Sequence, residues 1–197
     1  MIIVLAGLRG SGKSTQCNLL LSYLKEKNYN AEITKALDLE MKNKFEATIP
    51  SNSYMENIFL FSMLYRKQVE KIKSLISKNH IVIADRFIEN FLLFHTYHGL
   101  IKTHGLEIYR TLESLIFENI RPNLTFFLEI DLETANRRIK ERMKKKPRIN
   151  NLFETKESYQ NTKELFTKMS KKENCIIING SLTPIEIHKR IIKKINL

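Results

Sequence analysis

Residues Gly7 to Ser14 read GLRGSGKS, and they stand between an apolar run, MIIVLA, and a segment of helical periodicity, STQCNLLLSYLKEK. The pattern G-x-x-x-x-G-K-[ST] between a strand and a helix lets glycines curl the backbone into a concave nest whose amide hydrogens point inward. The amino end of the following helix adds the positive end of its dipole, so the main chain itself binds phosphate oxygens. In such a cradle Lys13 would reach the β and γ phosphates of a nucleotide, and the Ser14 hydroxyl would ligate Mg2+. Gly7, Arg9, Gly10, Ser11, Gly12, Lys13, Ser14 and Thr15 are therefore the expected nucleotide-binding residues.

Further apolar runs of strand length occur at Ile81 to Ala84, Leu124 to Ile130 and Cys175 to Ile178, with a weaker one at Ala31 to Thr34. Most are nearly continuous, not alternating, as in strands covered on both faces. Helical patterns fall between them, at Ser14 to Lys27, Tyr54 to Lys78, His104 to Asn119, Leu132 to Lys145, Lys156 to Lys171 and Pro184 to Lys194. Strands alternating with helices predict an α/β fold, a five-stranded parallel sheet flanked by helices and wound by right-handed crossovers. In SLTPIEIHKRI, Ser181 or Thr183 caps the last helix, Pro184 fits its first turn, and Glu186 completes a capping box with Thr183. No internal repeat or glycine-serine linker interrupts the order, so one domain over 1–197 is expected.

The chain carries 33 Lys and Arg against 21 Asp and Glu, a net charge of +12 that invites a nucleic-acid or membrane-surface reading. The basic residues are spread along the chain and only KERMKKKPR concentrates them, which favours a solvated surface plus a local site for a small polyanion. No segment approaches the apolar length needed to span a bilayer. MIIVLA is short, lacks a basic stretch ahead of it and runs straight into the glycine-rich motif, so it reads as a buried strand of a cytoplasmic protein. Cys17 and Cys175 lie far apart with no CxxC spacing, so neither a zinc site nor a disulfide framework is suggested and both thiols are expected to be inert.

The stretch IVIADRFIENFLLFHTYHG sets a second constraint. Asp85 ends the third strand on the sheet edge that carries the cradle, where a carboxylate suits the shell of Mg2+. Arg86 beside it offers a planar, bidentate partner for a second phosphate. With these residues the chain resembles the thymidylate kinase family of nucleoside monophosphate kinases. Asp85, Arg86 and Phe87 resemble its Asp-Arg-Tyr signature, and Asn90, Phe94 and His95 fall where the family commonly has Ser, Tyr and Gln. NIFLFSMLYRKQVEKI is similar to the helix that carries a phenylalanine stacking on the acceptor base and an arginine touching that base or its phosphate. Phe61 and Arg66 are the matches, with one residue more between them than in the family. RPNLTFFLEIDLETANRRIKER resembles the fourth strand and its helix. KKKPRINNLFE occupies the lid, about 141–153, with Phe153 and Glu154 in the place of an aromatic-Glu pair, and IIINGSLTPIEIHKRI resembles the last strand, adenine-side loop and closing helix.

The resemblance implies a three-layer P-loop NTPase fold, ATP and Mg2+ as cofactors, a nucleoside monophosphate, dTMP before others, as acceptor, and a homodimer packed through helices. Two positions depart from it. The acidic residue that many members carry in the cradle, where it contacts the acceptor sugar, is Arg9 here. The Arg-Glu-Pro-Gly-like or Phe-Pro-Arg-like segment after the second strand is absent, and Lys35 is the only cation near that strand's end.

In such a reaction the attacking oxygen already belongs to a phosphate anion, so cations and not a base are the expected catalytic parts. Lys13, with Mg2+ at Ser14 and Asp85, would hold the donor; Arg86 and Arg66 would hold the acceptor phosphate. Arg148 is the favoured lid cation for its fork geometry, ahead of Arg142 and of Lys144, Lys145 and Lys146. Phe61 and Phe94 would line the acceptor pocket. Two other classes remain at this point. A deoxynucleoside kinase would need a carboxylate base, for which Glu89, Asp38 and Glu40 are candidates. A P-loop protein that binds nucleotide and nucleic acid without phosphoryl transfer would draw on the excess positive charge, although the spread of that charge argues against it.

Overall fold

Strands buried on both faces need helices on both sides, and the chain supplies them in alternation. The computed structural model describes residues 1–36, 53–97, 100–145, 154–171 and 174–195, leaving aside the side chains of 94–97 and 145. Its elements run β1 (Ile2–Ala6), α1 (Lys13–Glu26), β2 (Ala31–Thr34), α2 (Tyr54–Ser77), β3 (Ile81–Asp85), α3 (Ile88–Tyr97), α4 (Leu100–Phe117), β4 (Leu124–Glu129), α5 (Leu132–Lys145), α6 (Lys156–Met169), β5 (Cys175–Asn179) and α7 (Pro184–Lys194). The five strands form one parallel sheet in the order β2-β3-β1-β4-β5. This is the expected α/β architecture, with every expected strand in place.

β1 lies at the centre and its side chains alternate between two cores. Ile2, Val4 and Ala6 face a core built with Tyr65, Val69 and Ile72 of α2, Phe91 of α3 and Phe117 of α4. Ile3 and Leu5 face the other, built with Cys17, Leu20 and Leu24 of α1 and Ile187 and Ile191 of α7. Burying each such aliphatic side chain stabilises the fold by roughly 1.5–3 kcal/mol before the entropy of ordering it is subtracted. Both cysteines are buried, and burial pushes the Cys17 thiol up. Among the described residues no helix is long and apolar enough to cross a membrane.

Local chemistry sets the helix boundaries. Thr183 caps α7, its hydroxyl accepting from the Glu186 amide at 3.3 Å while the Glu186 carboxylate accepts from the Thr183 amide at 2.9 Å. Ser53 and Glu56 form the same reciprocal pair at the start of α2. Two helical stretches escape sequence periodicity. α3 is apolar on most sides and shows no stripe, and α4 begins at Leu100, ahead of an interruption at Gly105, where φ is +85°. That φ combined with a ψ of 161° is open essentially to glycine alone, so the pattern from His104 onward captured only the part beyond the break.

Glu89 on α3 is 2% exposed, and its Oε1 accepts from the Thr125 hydroxyl of β4 at 2.9 Å. Its Oε2 has no hydrogen-bond partner among the described residues. Burial raises this carboxyl above its ordinary range, against the hydrogen bonds that favour its charged form. The folded chain therefore holds the Glu89 proton to a higher pH than the unfolded chain does, and stability falls as pH rises from about 4.3 through the raised folded value. Glu89→Gln is predicted to unfold at a higher temperature than the wild type near pH 8, with the gap closing as the pH approaches about 4. Thermal melts at the two pH values check this, and an equal gap at both would contradict it.

Candidate active site

The carboxyl edge of the sheet brings the glycine-rich loop and the end of β3 together, because Leu5 of β1 lies in register with Asp85. The loop runs from Gly7 to Gly12, and α1 begins at Lys13 with Gly12 in the left-handed region and no side chain capping the helix. Its first turn also carries no acidic residue. The amide hydrogens that caps normally satisfy are thus left to a ligand. Gly10 shows why the loop is glycine-rich: φ is +79°, and a Cβ would lie 2.6 Å from the Ala135 carbonyl oxygen of α5. Ser11 is buried, whereas Arg9, Ser14 and Thr15 are exposed.

Lys13 is 7% exposed and its ammonium donates to the Leu8 carbonyl at 2.6 Å, inside the loop. Burial, then Arg86, push this group down to about 7, against the attraction of Asp85 and Glu154. Ser14 donates from its hydroxyl to Asp85 Oδ2 at 2.8 Å, and the Lys35 ammonium lies 3.3 Å from the same oxygen. Burial alone would raise the Asp85 carboxyl, but Lys13, the Ser14 hydroxyl, Arg86 and Lys35 outweigh it and hold the group below its ordinary range. A hydroxyl and an ionised carboxylate converging where a cation already sits form a hard oxygen donor set, which fits Mg2+.

Arg86 follows Asp85 with φ at +75°, rare for a residue with a side chain. Its Nη1 donates to Asn90 Oδ1, and its amide donates to the Leu5 carbonyl at 3.1 Å. Asp85 and Arg86 are thus brought to the cradle as expected. Phe61 is half-buried against the α2 side of the core.

Arg66 is not among the residues that this structure brings to the cradle. Its guanidinium pairs with Glu118 and with Glu70 at 2.5 Å, and donates to the Ile116 carbonyl at 3.3 Å, near the end of α4. The cause is helical phase. Phe61, Tyr65 and Gln68 are spaced i, i+4 and i+7 and share a face, whereas Arg66, one residue later than Tyr65, lies about 140° from Phe61 around the helix. Tyr65 takes the inward position, with its hydroxyl accepting from Asn90 Nδ2 at 3.0 Å. Glu89 is likewise no base for an acceptor, since its carboxylate is buried against Thr125.

Arg148, Lys146, Phe153, Asp38 and Glu40 lie outside the described residues, as does the side chain of Phe94. The described part of the lid is the end of α5, through Lys145.

Two sets of contacts escaped the sequence, one at Glu154 and one at Arg138. The Arg9 amide donates to Glu154 Oε1 at 2.8 Å, Ser158 donates to Glu154 Oε2 at 2.6 Å, and Asn136 and Glu154 exchange two further hydrogen bonds. Arg138 Nη1 donates to the carbonyls of Gly180, at 2.9 Å, and Gly10, at 3.4 Å, tying the cradle to the loop after β5. The Glu154 contact is hinted at by the aromatic-Glu pair; for Arg138 no local signal exists, because its partners are backbone groups far away in sequence.

Residues 5–191 match the family model described as thymidylate kinase. The chain is 30% identical over 201 residues to the thymidylate kinase of Fervidobacterium nodosum, covering 100% of this chain and 98% of that one. It is 29% identical over 204 residues to that of Rickettsia bellii, covering 99% and 95%. A crystal structure of thymidylate kinase from Ehrlichia chaffeensis has the same fold, with a TM-score of 0.69 at 24% identity over 98% of this chain and 97% of that one.

An anion in the cradle would restore the Lys13 proton. Binding of a nucleoside triphosphate near pH 8 is predicted to take up about one proton per site, and Lys13→Met is predicted to abolish the uptake. Titration calorimetry in buffers of differing ionisation heat reads this directly. An undiminished uptake in Lys13→Met would place the titrating group elsewhere.

Proposed function

The chain belongs to the thymidylate kinase family, and from that premise we propose that it transfers the γ-phosphoryl group of ATP to dTMP, giving dTDP and ADP. The reaction type is that of a nucleoside monophosphate kinase. The observation that carries the reading is the corner at Asp85 and Arg86, where a carboxylate facing the cradle hydroxyl is followed at once by a guanidinium held on the adjacent helix.

In this reading the amides from Gly7 to Thr15 hold the donor phosphates, and Lys13 exchanges the Leu8 carbonyl for a phosphate oxygen. Ser14 and Asp85 would hold Mg2+, which screens the negative charge of the donor phosphates when bound. Lys35 then leaves Asp85. Arg86 grips the acceptor phosphate so that one of its oxygens faces the γ-phosphorus in line with the bond to the leaving ADP oxygen. No side chain need remove a proton, because the attacking oxygen is already anionic. Phe61 lines the acceptor pocket together with Phe94, and Arg148 is assigned to the lid that closes over the transferring group.

A homodimer accompanies this reading. Met55, Phe59 and Met63 recur at i, i+4 and i+8 along α2 and are exposed, Phe59 by 63%, while Ile108 and Leu115 are exposed on the neighbouring α4, Leu115 by 67%. Two packed helices that both present large apolar side chains to water form a patch suited to a second copy.

With a panel of nucleoside monophosphates, ADP formation is predicted to be fastest with dTMP, and no ADP with any of them would overturn the assignment. Arg86→Ala is predicted to lower kcat/KM for the acceptor roughly a hundredfold or more, with the KM for ATP changed less than about threefold. In sedimentation equilibrium the wild type is predicted to run at twice the chain mass and Phe59→Glu at the single-chain mass; a monomeric wild type would contradict the dimer.

A further inference from the structure

The assignment of Arg86 to the acceptor phosphate leaves a question of accuracy, since a free arginine samples many rotamers and a phosphate grip needs one. Arg86 is held at three points. Its amide donates to the Leu5 carbonyl at 3.1 Å, its carbonyl accepts from Gln68 Nε2 at 3.2 Å, and its Nη1 donates to Asn90 Oδ1. The first two fix a backbone in the left-handed region, where a non-glycine residue is strained and persists only if its surroundings impose it. Gln68 is 3% exposed and also donates to the Thr34 hydroxyl at 3.4 Å, so it joins the ends of β2 and β3.

The third point depends on which way the Asn90 amide faces. Its oxygen must meet the guanidinium, because Arg donates only, and its NH2 must then find an acceptor on the other side. Tyr65 supplies that acceptor at 3.0 Å. Arg86 thus selects the orientation, because the flipped amide would set NH2 against guanidinium, and the Tyr65 hydroxyl, able to donate or accept, then anchors the NH2 so selected. Tyr65 cannot turn away, because the residue is 3% exposed and its ring packs edge-on against Phe91 at 5.4 Å and at a tilt against Phe117 at 5.7 Å. Burial pushes its hydroxyl up to about 12, so it stays neutral through the working pH range.

We propose that Tyr65 and Asn90 are positioning residues for the acceptor phosphate: Tyr65 anchors the Asn90 amide in place, and Asn90 holds the Arg86 guanidinium in one rotamer with its remaining N–H groups directed to phosphate. On α2 Tyr65 takes the inward position next to the expected Arg66, so among the described residues Arg86 is oriented through neutral groups. The inference rests on the assignment of Arg86 to the acceptor.

Three variants separate it from a packing role. Tyr65→Phe keeps the ring and removes only the hydroxyl; it is expected to raise the KM for dTMP about fivefold while the KM for ATP and the melting temperature stay near wild type. Asn90→Ala is expected to lower kcat/KM for dTMP at least tenfold with the KM for ATP again unchanged. Asn90→Asp keeps a hydrogen-bond acceptor but neutralises Arg86, so it is expected to raise the KM for dTMP without freeing the guanidinium. The 15N spectrum of the Arg86 guanidinium, identified by its loss in Arg86→Lys, reports the hold independently of turnover. Slow rotation in the wild type and in Asn90→Asp, and averaging in Asn90→Ala, are expected. Unchanged dTMP kinetics in Tyr65→Phe and Asn90→Ala, or a guanidinium that averages already in the wild type, would overturn the inference. A wild type that phosphorylates no monophosphate would instead overturn the assigned reaction, and the guanidinium spectra alone would then decide the positioning.

Discussion

The uncapped amides and the buried cation at the start of α1 are the constraint around which this chain is arranged. α1 starts on a left-handed Gly12 with no side-chain cap, directs its first amides into the loop, and buries the Lys13 ammonium behind them. Each of these would be unfavourable in a helix that served only packing, since uncapped amides and a desolvated cation both raise the energy of the fold. The neighbouring groups respond to that field. Glu154 accepts from the Arg9 amide, Asp85 stays ionised despite burial, and Lys13 falls back onto the Leu8 carbonyl.

The sheet sets a second cluster of charged groups beside this loop. Because β3 lies beside β1 and ends in register with it, the residue after the last buried alanine of β3 must emerge next to the cradle. That residue is Asp85, and the next, Arg86, turns through a left-handed conformation onto α3. In the proposed reaction the carboxylate assigned to the donor side and the guanidinium assigned to the acceptor side are thus separated by a single peptide unit. Their spacing is set by covalent geometry and by the contacts of Gln68 and Asn90, which bring α2 and α3 into the definition of the site.

The strands and the cradle were legible because both are local patterns: nearly unbroken apolar runs, and a motif whose glycines have backbone reasons to be there. Asp85 and Arg86 were legible for a similar reason, since they fall where an apolar run stops. The limits of the reading are also physical. α3 carries apolar residues on most of its faces and offers no period to detect, and Gly105 divides α4 so that its first turn stands apart. Arg66 and Tyr65 are adjacent in the chain and differ only in helical phase. Choosing between them requires knowing which face Phe61 and Gln68 present to the core, and that is settled by packing against α3 and α4. Glu154 and Arg138 meet backbone groups that only the folded sheet brings near.

The most direct test of the two-anion account is a crystal structure with a bisubstrate mimic in which adenosine and thymidine are joined through a chain of phosphates. The account predicts Lys13 off the Leu8 carbonyl and on the phosphates of the adenosine half, with Arg86, still held at Asn90, on the phosphate of the thymidine half. A mimic whose thymidine-side phosphate lies away from Arg86, with that guanidinium touching protein groups alone, would contradict it.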